Sequence, residues 1–440
     1  MYKEISKEML EFIKKSPSVF HAVEAIKNEL SKNGFIELLE SEKWKLEKGK
    51  KYYVTRNYSS IIAFDIGESV DDEYSFNIVA SHSDSPCFKI KDNYKIESNN
   101  KYLQLNTEKY GGLIYSTWFD RPLSVAGRII IKNEKGIETR LVNIDRDLVI
   151  IPNVAIHMNK EVNSAMKYNE QVDLLPLFGS LKEAKDNFMD IISEYSNVEK
   201  ESILSTDLYL YNRMMPSIWG SSEEYISSAK LDNLQCAFAT LKGFIKGTNK
   251  KSINVYCCFD NEEVGSGTKQ GAASTFLEDV LKRINLNLGK SKEDYHCALA
   301  SSFMISADNA HAVHPNHPEK SDPTNRVYMN EGIVIKHNAS QKYTTDAISS
   351  ALFQSLCEAT NVPFQHYSNR SDMPGGSTLG NIASLNVSIN TVDIGLAQLA
   401  MHSSYETAGI QDTYYLIKVM EEFFNSSFKE ESLGALNIIK

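Results

Sequence analysis

The chain is predicted to fold as an α/β protein: a mixed, mostly parallel sheet flanked by helices, with a β-rich domain inserted into it. Three observations carry this. From about Glu223 onward, apolar runs of strand length alternate with segments of helical periodicity, the pattern of βαβ units that cover a parallel sheet on both faces. Residues 88–222 are instead mostly β in texture, punctuated by Gly111-Gly112 and by Asn133-Glu134-Lys135-Gly136. A length of 440 residues is also long for one core, so two domains are expected. The main domain is assigned to 1–87 with 223–440, and the insertion to 88–222.

The elements follow in order. Met1 to Lys15 reads as an amphipathic helix and not as a signal peptide. Ser16-Pro17-Ser18 separates it from a second helix, which it can cap and which carries Phe20, Val23, Ile26 and Leu30 at helical spacing. Strands are expected at Ser60 to Ile66 and Ser75 to Ala80. In the insertion they are expected at Tyr102 to Leu105, Val125 to Lys132, Thr139 to Asn143 and Leu148 to Ile151, with one helix at about Glu183 to Ser193. Leu231 to Ile245 is then helical, Ile253 to Phe259 a buried strand, and residues 271–285 helical. Met304 to Ser306, Gly332 to Lys336 and Val387 to Val392 complete the strands, with a helix from Thr345 to Thr360 between the last two.

Composition narrows the function. Hydrophobic content is 42% and charged content 24%, ordinary for a globular enzyme. The net charge of -10 comes without a dominant basic patch, which argues against nucleic acid and anionic membrane as partners. No stretch approaches the ~20 apolar residues of a membrane helix. The six cysteines form no CxxC pair, so free thiols in a reducing cytoplasm are expected, with Cys257-Cys258 in the core.

Five short polar islands, each after an apolar run, carry the chemistry: Ser81-His82-Ser83-Asp84, Lys230-Leu231-Asp232-Asn233, Asp260-Asn261-Glu262-Glu263, Ala307-Asp308-Asn309 and Ala400-Met401-His402-Ser403. Two histidines and several carboxylates are the donor mix of a site for two divalent cations. Those after Ala80, Phe259 and Ser306 fall at the carboxyl ends of strands, where open α/β sheets place their sites. None lies in the insertion. His82 and Asp84 share a face when extended, so Asp84 could hold one ring nitrogen while the other meets a metal. Asp232 could bridge two cations; taken alone it reads first as a helix N-cap, and the two roles need not exclude each other. Glu262 and Glu263 diverge, so one can ligate while the other faces a reacting water. The glycines after them lack phosphate-loop spacing. His311, His314 and His317 could form a metal cluster. The preferred reading makes Asp308 the ligand and leaves His311 and His314 to support the site or face an interface. His402 alone would pass for a core histidine.

These residues resemble the aspartyl aminopeptidase family, the co-catalytic zinc aminopeptidases related to vacuolar aminopeptidase I. The resemblance rests on Ser16-Pro17-Ser18-Val19-Phe20-His21, Ser81-His82-Ser83-Asp84-Ser85-Pro86, Lys230-Leu231-Asp232-Asn233-Leu234, Phe259-Asp260-Asn261-Glu262-Glu263, Ala310-His311-Ala312-Val313-His314-Pro315, Gly375-Gly376-Ser377-Thr378-Leu379-Gly380 and Gln398-Leu399-Ala400-Met401-His402-Ser403. It covers nearly the whole chain in order. Ala397 departs from the proline that many members have there.

The resemblance implies a zinc-exopeptidase-like fold. It makes His82, Asp232, Glu263, Asp308 and His402 the metal ligands, with Asp232 bridging, Asp84 the orienting carboxylate and Glu262 the general base. Two divalent ions per subunit follow, zinc first, with manganese or cobalt also suited to the donors. Lys336 would hold an acidic substrate side chain, and Gly376 and Ser377 would contact substrate. The insertion would dimerise, dimers would assemble into a dodecamer, and His157 would reach a neighbouring subunit's site. The implied activity is cytoplasmic removal of single amino-terminal residues, Asp or Glu by preference, from peptides with a free amino terminus. The residues by themselves also admit a neutral-residue aminopeptidase, a carboxypeptidase or an N-deacylase, or a scaffold that kept the fold.

Overall fold

The structure is a computed structural model that describes residues 1–70, 73–184, 187–432 and 434–439. A nine-stranded sheet organises the main part of the molecule. Its strands are β1 (Ile36–Leu38), β2 (Lys51–Arg56), β3 (Ser60–Ile66), β4 (Phe76–His82), β5 (Ile253–Phe259), β6 (Phe303–Ala307), β7 (Ile333–His337), β8 (Phe364–Ser368) and β9 (Asn390–Gly395). Their spatial order is β1-β2-β3-β5-β4-β6-β9-β7-β8. Strands β5, β4, β6 and β9 run parallel at the centre, while β2–β3, β3–β5 and β7–β9 are antiparallel.

Both faces of this sheet are covered, so its central strands are buried almost along their whole length. Alternate residues serve opposite cores. Val79, Tyr256 and Cys258 join one core with the helices Tyr2–Lys14, Val19–Lys32, Leu231–Lys246, Ala347–Ala359 and Asp412–Asn425. Ile78, Ala80, Val255 and Cys257 join the other, with the helix Phe276–Asn287. Cys257 and Cys258 are thus core residues, and all six thiols are unpaired.

A separate six-stranded antiparallel sheet is built wholly from residues 87–212. Its own core, which includes Phe88, Trp118, Val125, Phe188 and Leu208, lies between residues 88 and 210. A third, five-stranded sheet gathers Ser217–Trp219, Tyr225–Ser228, Glu406–Gly409, Ala397–Leu399 and Ala310–His311. The chain therefore leaves the six-stranded sheet at Asn212 and enters the five-stranded one at Ser217.

Several expected elements shift. Leu148 to Ile151 is not a strand; it makes only isolated bridges to Phe119, Leu123 and Leu177. The helix expected at Glu183 to Ser193 is two helices, Leu181–Ala184 and Phe188–Ser196, and residues 185 and 186 lie outside the described residues. The helix expected over 271–285 begins only at Phe276, because Asn386 Nδ2 takes the carbonyls of Ala273 and Ser274. The last central strand runs from Asn390 to Gly395 rather than from Val387. Ser18 occupies the N-cap position, but its hydroxyl bonds the ring of His21 at 2.8 Å instead of a backbone amide. No described helix is long and apolar enough to cross a membrane.

Candidate metal centre

Strands β4 and β5 end level, with His82 paired in register to Phe259. The chain beyond each therefore emerges at one carboxyl edge of the sheet, with Asp308 leaving β6 beside them. His82 is the last residue of a fully buried strand. Its Nδ1 meets the backbone oxygen of Asp84 at 3.1 Å and Asp84 Oδ1 at 3.3 Å. A proton held there leaves the Nε2 lone pair free for a cation. Nε2 lies 3.4 Å from Asp232 Oδ1, 3.7 Å from Asp308 Oδ1 and 4.0 Å from Glu262 Oε2. The Asp84 carboxylate also accepts the backbone N–H groups of Glu262 and Glu263, each at 3.2 Å, and the Tyr110 hydroxyl at 2.7 Å.

The other side is assembled from irregular backbone. Asp232 lies at the start of the helix Leu231–Lys246 but has non-helical dihedrals, φ -82° and ψ 108°. Its carboxylate caps nothing; it points at His82 and His402, so the N-cap alternative fails here. His402 Nε2 stands 3.6 Å from Asp232 Oδ2 and 3.3 Å from Glu263 Oε2. His402 has φ +68° and Ala400 φ +55°, the left-handed region that non-glycine residues seldom occupy. The Gly111-Gly112 turn packs beside them: a Cβ on Gly111 would meet Glu263 Cβ at 3.2 Å, and one on Gly112 would meet His402 Nδ1 at 3.6 Å.

The donors fall into overlapping groups. His82, Asp232 and Asp308 offer three atoms within 4.8 Å of one another, and so do Asp232, Glu263 and His402. Asp232 belongs to both, the position a carboxylate shared by two cations would take. His82, Glu262 and Glu263 form a third group. Burial and crowding set the electrostatics. Burial raises Glu262, to about 8, with Asp308, Asp84 and Asp232 adding to the rise against the opposing pull of His82. Burial and Asp232 likewise raise Glu263. Burial would lower His82 and His402, but their carboxylate neighbours, Asp232 foremost, turn both upward.

Divalent cations suit this donor set. Asp232 Oδ1 and Glu263 Oε1 are buried with no hydrogen-bond partner, a costly state for carboxylate oxygens. Asp84, Asp232, Glu262, Glu263 and Asp308 converge here, with Lys336 as the lysine paired to the cluster, 3.9 Å from Asp308 Oδ2. Cations between the carboxylates would relieve both the unmet oxygens and the repulsion.

The remaining expected residues are placed differently. Lys336 is not a solvent-facing strand end: it is 3% exposed and donates to the Asn309 backbone oxygen at 2.8 Å. Gly376 lines a cavity of about 470 Å³ with His311, His314, His317 and Arg370. Ser377 instead donates to Asn381 Oδ1. The three histidines form no metal-holding group among the described residues. His157 is exposed in a turn of the insertion and belongs to none of the donor groups. Sequence reading missed Tyr110, Glu406 and the Gly111-Gly112 contact. The paired glycines were a visible signal, but of a turn and not of what it touches.

The family described as Aminopeptidase I zinc metalloprotease (M18) matches residues 12–424. A probable M18 family aminopeptidase 2 from Clostridium novyi (strain NT) is 49% identical over 427 residues, 96% of this chain and 99% of that protein. Among solved structures, a chain of the Ape4 and Nbr1 complex superposes with a TM-score of 0.93 at 35% identity, covering 96% of this chain and 86% of that one. A chain of the S. cerevisiae mApe1 dodecamer gives 0.84 at 26% identity, covering 96% and 97%.

Proposed function

The chain belongs to the M18 family of zinc aminopeptidases, hydrolases of peptide bonds, and on that premise we propose that it removes single residues from the free amino terminus of peptides. The observation that carries the mechanism is the pair of donor triads sharing Asp232. His82, Asp232 and Asp308 would hold one divalent ion, and Asp232, Glu263 and His402 a second. Bound there, such ions supply Lewis acidity toward the scissile carbonyl and lower the pKa of a water. Asp84 keeps the His82 proton on Nδ1 and, through two backbone N–H groups, sets the Glu262-Glu263 turn. Glu262, beside His82 but with its carboxylate partly open, takes the proton of the attacking water and passes it to the leaving amine.

A second reading concerns selectivity. Lys336 would select Asp or Glu if its ammonium could be shared with a substrate carboxylate. In the free protein that ammonium is engaged by Asn309 and lies near Asp308, which favours a neutral-residue preference with Lys336 steadying Asp308. Gly376, His311 and His314, on the neighbouring cavity, would face the substrate. We further assign dimerisation to the inserted sheet and assembly to a dodecamer, as in the mApe1 structure, with His157 presented to a neighbouring subunit and the enzyme cytoplasmic.

The test is release of the amino-terminal residue from Asp-, Glu-, Leu- and Lys-anilides, with chelator and then metal add-back. Chelator-sensitive cleavage of Asp and Glu substrates that Lys336→Met abolishes would establish acidic selectivity. Cleavage preferring Leu would keep the mechanism and discard it. Absence of cleavage by metal-loaded, assembled protein would sink the proposal.

A further inference from the structure

Glu406 is 2% exposed and lies four residues beyond His402, at the start of the strand Glu406–Gly409. That strand pairs with Tyr225–Ser228, Glu406 standing opposite Ser228. The second strand leads within four residues to Asp232. Glu406 thus sits where two segments far apart in sequence, each carrying a candidate ligand, come together.

Its two oxygens serve those segments separately. Oε1 accepts the backbone N–H of His402 at 2.7 Å, and Oε2 accepts the backbone N–H of Asp232 at 3.0 Å. Neither segment is held by regular structure at this point. Asp232 has left helical geometry, and His402 sits at φ +68°. Backbone in such conformations persists only when its surroundings fix it. A buried carboxyl group whose two oxygens each accept one backbone N–H ties the two segments to each other, and breaking either bond would leave a buried amide without a partner.

The arrangement repeats one already described. Asp84 takes the N–H groups of Glu262 and Glu263 and so ties the end of β4 to the turn after β5. Glu406 does the same for the remaining histidine and for the shared aspartate. We infer that Glu406 is a positioning residue of the metal centre, fixing Asp232 against His402 so that the Asp232–Glu263–His402 group is formed before a cation arrives. This rests on the two-cation reading above.

The test titrates metal-free, full-length Glu406→Gln with Zn2+ by calorimetry and by competition with a chromophoric chelator, beside the wild type. The amide would turn an N–H toward a backbone N–H and break one tether. The site of Asp232, Glu263 and His402 should weaken about 10- to 100-fold, the usual effect of losing a group that orients a ligand, and more than the other site, which shares only Asp232 with it. Excess zinc should restore turnover. Combining Glu406→Gln with His402→Ala should add little further loss of affinity, whereas combining it with Asp308→Asn should lose a second site. Glu406→Asp, which keeps the carboxyl group but cannot span both amides, should behave like the amide. Unchanged affinity at both sites in folded Glu406→Gln would overturn the inference, as would equal loss at both with a lowered melting temperature, or failure of both variants to fold. Fewer than two zinc ions on the wild type would instead remove the reading on which it rests.

Discussion

The two histidines of the centre are held in opposite ways. His82 ends a strand whose seven residues are all buried and which pairs in parallel with a neighbour on each side. His402 lies on a loop with two left-handed residues, Ala400 and His402, and is positioned by Glu406, Glu263 and the Gly111-Gly112 turn. One side of the centre inherits its geometry from the core. The other is tied together by single side chains, so point substitutions should reach it at little cost to the fold.

The largest expected effect tests whether chemistry is separable from both sides. Glu262→Gln should keep the metal content of the wild type and lose roughly 10²–10⁴-fold in kcat, the usual range for a general base. Metal analysis beside steady-state kinetics decides it, and near-wild-type turnover would rule out Glu262 as the base. Asp84→Asn comes next. Losing the carboxylate that holds His82 Nδ1 and the Glu262-Glu263 turn should weaken metal binding about 10- to 100-fold, measured by chelator competition. If Asp84→Asn proves harmless, the strand alone fixes His82, and the contrast between the two sides is sharper still.

A pH experiment tests the centre as a whole. Burial, with the surrounding carboxylates, raises Glu262 to about 8 in the metal-free protein and raises Glu263 well above the ordinary carboxylate range. At pH 7 Glu262 carries a proton that a neighbouring cation would expel, so affinity should rise with pH through about pH 8, about tenfold per unit for each proton released. Calorimetry in buffers of different ionisation enthalpy counts the protons. Binding that releases none would contradict the crowding argument.

The smallest effect compares two alanines. Ala80→Gly, in the buried strand before His82, removes a packed methyl and loosens the unfolded chain, and should cost about 1–2 kcal/mol. Ala400→Gly, at φ +55°, relieves a left-handed conformation by about as much as it adds to unfolded-state entropy, and should stay within about 0.5 kcal/mol of the wild type. Chemical denaturation of both variants checks the pair. A larger loss at Ala400 than at Ala80 would reverse the comparison.

Much of this was legible in one dimension. The run Ile253–Phe259 is apolar but for Asn254 because both faces of its strand are covered, and its limits in the structure are the expected ones. His82, Asp232, Glu262, Glu263, Asp308 and His402 stood out because five polar islands, each after an apolar run, together supply the donors of a metal site, although any one of them alone would be ordinary. Periodicity failed where contacts from elsewhere decide an end. The helix at Phe276 starts late because Asn386, far along the chain, holds the preceding carbonyls. Leu148 to Ile151 has strand composition but only isolated partners.

The sequence by itself determined the class of fold and the family, and singled out the side chains proposed to carry the chemistry, because burial and ionisation are properties of residue types and their local pattern. Only the tertiary structure decided that Asp232 faces two histidines instead of capping its helix, that Lys336 is buried against Asn309, and that Glu406 joins Asp232 to His402. Each of these depends on which distant segment arrives within hydrogen-bond reach. That is set by the packing of whole strands and helices, which no local window of residues contains.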